Sequence, residues 1–431
     1  PPIPARSLAR GVVLVVLGST SARTLAPWGG PHPALELAAV ASSGTTFLAN
    51  RASSSLANAS VASMMTGLPP RALALDDPDA RLPDAPTTVE EACRQGGVAT
   101  AMFTANPTTG AAFGFGRGWD DFEAIDPIAN TPAAQVFDDA GAWIEAHKGS
   151  PFFVVVHARG GHPPWDATTD ELKTMVPDGY LGIVEPRRAA EALAKVRKHP
   201  ARFKEDDRAR AWALYDRAID AHDAAFGRLM AALRTAGRQD DTAVIVTSDV
   251  AASEGPPVPF ADPDTLDEPL LGTPLVVRWP RADALAGRRV EAPTSPIDLA
   301  RTILGALGLP PPSAFQGVDL SLVAAGAVVP VERPLLATRA GRFSLRWGSY
   351  VLTGSRQRET RMCDLSLDSA CIADVRATAP IALEAMRRWA AAALAPTATV
   401  RTPANLDEHT MASLVRWGRT PPEGHAGNEE R

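Results

Sequence analysis

Two side chains in this sequence stand where polar chemistry could use them: His162 in GGHPPW and Asp249 at the end of TAVIVTSD. An imidazole and a carboxylate brought together could move a proton, hold a divalent cation or balance a bound anion. A metal-assisted hydrolase gathers more than that, because calcium alone takes about 6–8 oxygen ligands. His162 reads as a contact to a bound anion or as a loop histidine hydrogen-bonded to backbone near Trp165. The second reading is preferred, because partners for an anion do not accompany it. Asp249 reads as a lone metal ligand, or as the cap of a turn at a strand end or the partner of a nearby cation. As a cap, Asp249→Ala would cost about 1 kcal/mol. Ser53, Ser54, Ser55 and Ser60 offer hydroxyls, but no G-x-S-x-G elbow with a matched His and Asp makes one a nucleophile. Ser60 or Asn58 serves equally well as a helix cap. His157 reads as a satisfied core histidine, and Asp120–Asp121 and Asp240–Asp241 as solvated turn acids.

These side chains need a scaffold, and its elements are legible. GVVLVVL (11–17), VATAMFT (98–104), FFVVVHA (152–158), TAVIVTSD (242–249) and TPLVVRWP (273–280) are short apolar runs. Between them lie helical patterns: VEEACRQGG (89–97), GAWIEAH (141–147) and the long run 213–237, which stops at a Gly. Strands that are apolar throughout and alternate with helices imply a sheet buried on both faces. The expected fold is therefore α/β, with a mostly parallel central sheet flanked by helices. Such sheets carry their sites beyond the carboxyl ends of the strands. That rule selects GSTSAR (18–23), ANPTTG (105–110), ARGGHPPW (158–165), DVAASEG (249–255) and PRADAL (280–285).

After Pro334 the texture changes to short strands broken by Gly and Ser, followed by a helix at 382–394. The expected division is an α/β domain over 1–330, a small C-terminal antiparallel sheet plus helix over 331–395, and a loosely ordered tail over 396–431. Cys93 lies in a helical stretch and reads as a small buried side chain. Cys363 and Cys371 flank DLSLDSA; they could form a disulfide, which would favour an oxidising compartment, and the spacing does not settle it.

The chain has 431 residues, 45% hydrophobic and 21% charged, so it can bury a full core and is not disordered. Its net charge of -6 argues against a nucleic-acid partner. No apolar run approaches the roughly 18 residues of a membrane span. The sequence begins at Pro1 rather than Met, which reads as a trimmed or processed N-terminus. Whether a signal peptide or anchor preceded it is therefore left open.

Seven segments, in order from residue 31 to residue 368, resemble the sulfatase family of the alkaline phosphatase superfamily. PHPALELAAVASSGTTFLANRA (31–52) is similar to the family's P-N-L-D-x-L-A-x-x-G-x-x-F-x-N, and SVASMMTGLPP (60–70) to the tail of its signature Cys/Ser-x-Pro-Ser-Arg-x-x-x-x-T-G. GFGRGWDDFE (114–123) resembles G-F-x-x-G-F-D-x-F, and PFFVVVHARGGHPPW (151–165) resembles P-F-F-x-x-x-H-x-x-x-x-H-x-P-Y. The run 215–249 parallels the approach to S-D-H-G. SPIDLARTILGALGLPPP with FQGVDL (295–320) and CDLSLD (363–368) match the family's later segments.

The resemblance implies ester hydrolysis by a formylglycine nucleophile, a calcium or magnesium ion, and an anionic ester, sulfated or phosphorylated, as ligand. It also implies an extracytoplasmic location. The register places Ala57 at the nucleophile and Ala59 and Val61 at the signature's Pro and Arg. Gly18 and Ser19 fall on the paired metal aspartates, and Val250 on the ligand after Asp249. Only Asp249 and His162 survive from the reactive set, with Ser60 and Asn58 as further cleft candidates. The expectation is a degenerate sulfatase with no functional catalytic residue, no metal and no cofactor, keeping a binding or structural role. The alternative is an active sulfuric- or phosphoric-ester hydrolase with a non-standard nucleophile or metal site. If the register is right, Ala57, Gly18 and Asp249 line one cleft.

Overall fold

A computed structural model describes residues 8–419 apart from 129–130, 176–179, 262–263, 282, 327–332, 356–357, 396 and 398. Eight strands form the central sheet: β1 (Gly11–Leu17), β2 (Thr45–Phe47), β3 (Ala99–Thr104), β4 (Asp121–Ala124), β5 (Phe152–Ala158), β6 (Thr242–Thr247), β7 (Leu275–Arg278) and β8 (Arg288–Val290). Their order is β4-β3-β5-β1-β6-β7-β2-β8. The pairs from β4 through β6 are parallel; β7 runs antiparallel to both β6 and β2.

Alternation along β1 explains its unbroken apolar run. Val13 and Val15 face a core built with the helices Gln135–Ala146 and Glu205–Thr235. Val12, Leu14 and Val16 face a second core with the helices Ala57–Thr66 and Ile297–Leu307. A strand sandwiched between two helix layers has no face to leave polar. Strands β2, β4 and β8 carry no such signal, because each has only three or four residues and β4 and β8 lie at the sheet edges. The long helix begins at Glu205, eight residues before its apolar spacing becomes legible. Its first turn is Glu205, Asp206 and Asp207, which suit the positive end of the helix dipole, and the Asp207 carboxylate accepts the Lys204 amide at 3.0 Å.

A separate antiparallel sheet holds β9 (Leu335–Arg339), β10 (Arg342–Trp347), β11 (Tyr350–Ser355) and β12 (Glu359–Asp364), in order β12-β11-β10-β9. The helix Pro380–Ala393 packs Leu383, Met386 and Ala390 against it. Arg51, 1% exposed, joins this sheet to the central body: it donates to Glu268 at 2.9 Å and to the Leu335 and Ser344 carbonyls at 3.3 and 3.2 Å. Cys363 and Cys371 form a disulfide, while Cys93 is free and buried. Closing so short a loop stabilises the small sheet by about 2–3 kcal/mol. Urea unfolding with and without reductant should show a loss of that size.

The expectation of a loose tail from Ala395 onward is overturned for the described residues up to 419. This segment makes a bridge between Ala80 and Pro403 and then a helix, Glu408–Arg416, whose N-cap Asp407 accepts the Thr410 amide at 2.7 Å. Leu414 and Trp417, one helical turn apart, are buried against the body. Composition suggested disorder because the apolar anchors, Leu406, Met411, Leu414 and Trp417, are scattered through a stretch rich in Pro and charge. Residues 420–431 of the expected tail lie outside the described residues. Among the described residues no helix is long and apolar enough to cross a membrane.

Candidate functional site

The carboxyl ends of β1, β3, β5 and β6 converge on one cleft, roofed by the start of the helix Ala57–Thr66 and by residues Trp417 and Arg419. Ser19, Ala57, His162, Asp249 and Val250 all line it. Of the three positions expected to share a cleft, Ala57 and Asp249 line it; Gly18, the residue before Ser19, does not. About 60 Å³ of space remains.

Asp249 sits at the centre of this end of the sheet and is 1% exposed. One carboxylate oxygen accepts the Ser19 amide at 3.0 Å and the Val250 amide at 2.6 Å. The other lies 3.1 Å from His157 Nε2 and 3.5 Å from Asn106 Nδ2. A carboxylate has only acceptors, so His157 is the donor in that contact. The far ring nitrogen of His157 meets Thr109 Oγ1 at 2.9 Å, completing a buried chain from Thr109 through the imidazole to the carboxylate. Burial pushes the Asp249 pKa up. The hydrogen bond and charge of His157 and the two amides outweigh it, so the net shift is below the usual aspartate range. Asp249 is therefore an ionised buried anchor rather than a simple turn cap. His157 is satisfied, as its place on a buried strand suggested, yet it also supports the one acid of the cleft.

The turn after β1 is close-packed. A Cβ on Gly18 would meet the Arg159 carbonyl oxygen at 2.8 Å and that of Ala158 at 3.1 Å, so an aspartate there requires the backbone to move. Ser19 holds a left-handed φ of 47°. Opposite, the helix Ala57–Thr66 starts without a side-chain cap: Leu56 is its N-cap, and Ala57 brings only a methyl to the cleft. The capping role considered for Ser60 and Asn58 is overturned, because the helix begins before both. Ser60 Oγ donates to the Ser54 carbonyl at 3.2 Å, and Asn58 Nδ2 to that of Ala80 at 3.2 Å. Both side chains are buried and neither lines the cleft.

His162 stacks on Trp417, ring centroids 4.2 Å apart and planes within 10°, with Nδ1 against the Pro163 carbonyl. Arg159, 2% exposed, lies 5.9 Å from the Trp417 ring and donates to the Pro164 carbonyl at 2.8 Å. Burial lowers its pKa to about 10 despite Asp166, which leaves it charged at neutral pH. His162 thus meets a backbone carbonyl and has an aromatic partner that carried no sequence signal. Trp417 and Arg419 carried no signal, being far along the chain; Asn106 did lie in the ANPTTG strand end.

The sulfatase resemblance implies calcium or magnesium, and the donor set does not fit either. Gly18 and Val250 offer no side-chain donor and Ser19 only a hydroxyl, while both Asp249 oxygens already accept hydrogen bonds. One carboxylate falls far short of the roughly six oxygens a hard cation collects. Among the described residues no cluster of three or more His, Cys, Asp or Glu side chains is arranged to hold a metal.

Comparison with known proteins fits this geometry into a lineage. No curated protein matches the chain in sequence. Among solved structures it is similar to the phosphonate monoester hydrolase of Agrobacterium radiobacter, at 18% identity and a TM-score of 0.70 over 89% of this chain and 95% of that one. The corresponding hydrolase from Silicibacter pomeroyi gives 18% and 0.68, over 88% and 94%. A protein solved with its substrate D-glucosamine-2-N,6-O-disulfate gives 18% and 0.70, over 89% and 97%. At such identity these likenesses establish the fold alone. The sulfatase family model matches residues 10–309, well over half of the chain, and the protein belongs to the sulfatase family.

Proposed function

We propose that this protein is a catalytically degenerate member of its family, whose cleft binds an anionic ester, sulfated or phosphorylated, without hydrolysing it. The observation that carries this reading is Ala57 lining the cleft at the uncapped start of its helix, a methyl group at the position where the sulfatase resemblance expects a nucleophile. Removing a nucleophile costs on the order of a million-fold in rate, and a missing Lewis acid adds several kcal/mol to the barrier. The anionic ligand class rests on Arg159 and Arg419 beside the cleft, and on the disulfated sugar bound by one structural neighbour. The Cys363–Cys371 disulfide supports an oxidising, extracytoplasmic compartment.

The test is turnover of aryl sulfate, aryl phosphate and aryl phosphonate monoesters by the purified chain supplied with calcium or magnesium. No rate above background is expected. Ala57→Cys should also give none, because the thiol would still face a cleft with a single carboxylate. Turnover by either protein would overturn the reading. A second reading, an active hydrolase with another nucleophile, has one observation in its favour: Ser19 lines the cleft in a left-handed conformation, and strained backbone of this kind clusters at functional sites. Turnover that is abolished by Ser19→Ala would establish it.

A further inference from the structure

The segment 399–419 runs along the body and brings Trp417 and Arg419 to the cleft, and many of the contacts that hold it are polar. Thr399 Oγ1 donates to the Ala72 carbonyl at 2.9 Å, Arg401 pairs with Asp77 at 3.2 Å, and the Ala404 and Asn405 amides donate to the Asp79 and Ala112 carbonyls. Farther along, His409 Nε2 lies 3.2 Å from Asp126, Ser413 Oγ donates to the same carboxylate at 3.3 Å, and Arg416 donates to the Arg187 carbonyl at 3.2 Å. Arg419 donates to the Pro78 carbonyl at 2.8 Å. Ion pairs as exposed as Arg401–Asp77 contribute little and weaken with salt. The helix Glu408–Arg416 is too short to persist alone; Leu414 and Trp417 are buried, and Ala404, Leu406 and Met411 pack partly buried against the body. Trp417 is the one that reaches the site, flat against His162.

With this segment in place about 60 Å³ remains, room for a few waters or one small oxyanion. Pockets that enclose a whole small-molecule ligand measure about 300–1,000 Å³. The segment that brings Trp417 and Arg419 to this space carries several exposed polar contacts and apolar side chains that are mostly only partly buried, which places it among the parts of a protein that open locally. We propose that residues 399–419 are a strap over the cleft. Its release, with Trp417 leaving the face of His162, is required before any ligand larger than a small oxyanion enters. This inference rests on the reading of the cleft as a binding site and adds how access to it is controlled.

Hydrogen exchange and histidine modification on the full chain test it without measuring turnover or ligand binding. In the wild type, amides of 408–419 should exchange about 100-fold faster than those of β1 and β5, the mark of local opening. Carbethoxylation of His162 should be slow and should accelerate at least about ten-fold in Trp417→Ala, while the deeply buried His222 stays unreactive. Asp126→Asn, at a half-exposed site outside the core, should raise both rates in the same direction by a smaller factor. Exchange of 408–419 only at the rate of the central strands would overturn the strap. So would unchanged His162 reactivity in both variants. A failure of the binding reading would appear instead as ester turnover, which these measurements do not report.

Discussion

Asp249→Ala is expected to lower the free energy of unfolding by about 3–5 kcal/mol, several times what a turn cap would contribute. The carboxylate is buried and its loss strands four donors at once: the Ser19 and Val250 amides, His157 Nε2 and the weaker Asn106 contact. His157, fully buried behind the cleft, is left with no acceptor for its Nε2 proton. Asp249→Asn keeps an acceptor oxygen for the amides and should lose less. Urea unfolding monitored by circular dichroism, with unchanged m-value, gives both numbers. The pH dependence has a fixed sign. Because the folded-state pKa of Asp249 is depressed, its stabilisation is fully present above the unfolded aspartate value of about 3.9 and disappears as pH falls below that through the folded value. Asp249→Asn should therefore flatten the acid limb of the stability profile below about pH 4. An unaltered limb would mean that this carboxylate is not the linked group.

Arg51→Ala should be about as damaging, again about 3–5 kcal/mol, for a different reason. Arg51 is buried between the central body and the small sheet, where it meets Glu268 through Nε and a terminal nitrogen, and donates to Ser344 Oγ at 2.6 Å. Truncation leaves Glu268, whose side chain is 10% exposed, with Arg346 at 3.7 Å as its remaining cation. Two carbonyls of β9 and β10 lose their donor as well. The double substitution Arg51→Met with Glu268→Gln removes both charges together and should cost clearly less than Arg51→Ala, since an unpaired buried charge is the larger penalty. Equal losses in the two proteins would show that the carbonyl contacts, not the ion pair, hold the sheets together.

The central sheet was legible in the sequence because strands buried on both faces are apolar throughout, and five such runs lie between helical patterns. What escaped notice were elements with no such period. The edge strands β4 and β8 are half exposed, and the first turns of the long helix are carboxylates and arginines. The cleft was legible only through its strand ends and through resemblance: Ala57, Ser19, His162, Asp249 and Val250 do meet. The partners of Asp249 were not, because hydrogen bonds across 92 and 143 positions leave no spacing to read. Trp417 escaped for a similar reason. A single aromatic in a polar segment says nothing about which distant ring it will stack on, and the same composition that suggested a loose tail conceals its scattered apolar anchors.

We propose that the cleft lacks the groups that would hold and use a divalent cation. Calorimetric titration of the chelator-treated protein with calcium and then magnesium, paired with elemental analysis of the protein as purified, tests it most directly. The account predicts no stoichiometric cation and no saturable heat. One equivalent of either ion, bound in the wild type and lost in Asp249→Asn, would contradict it.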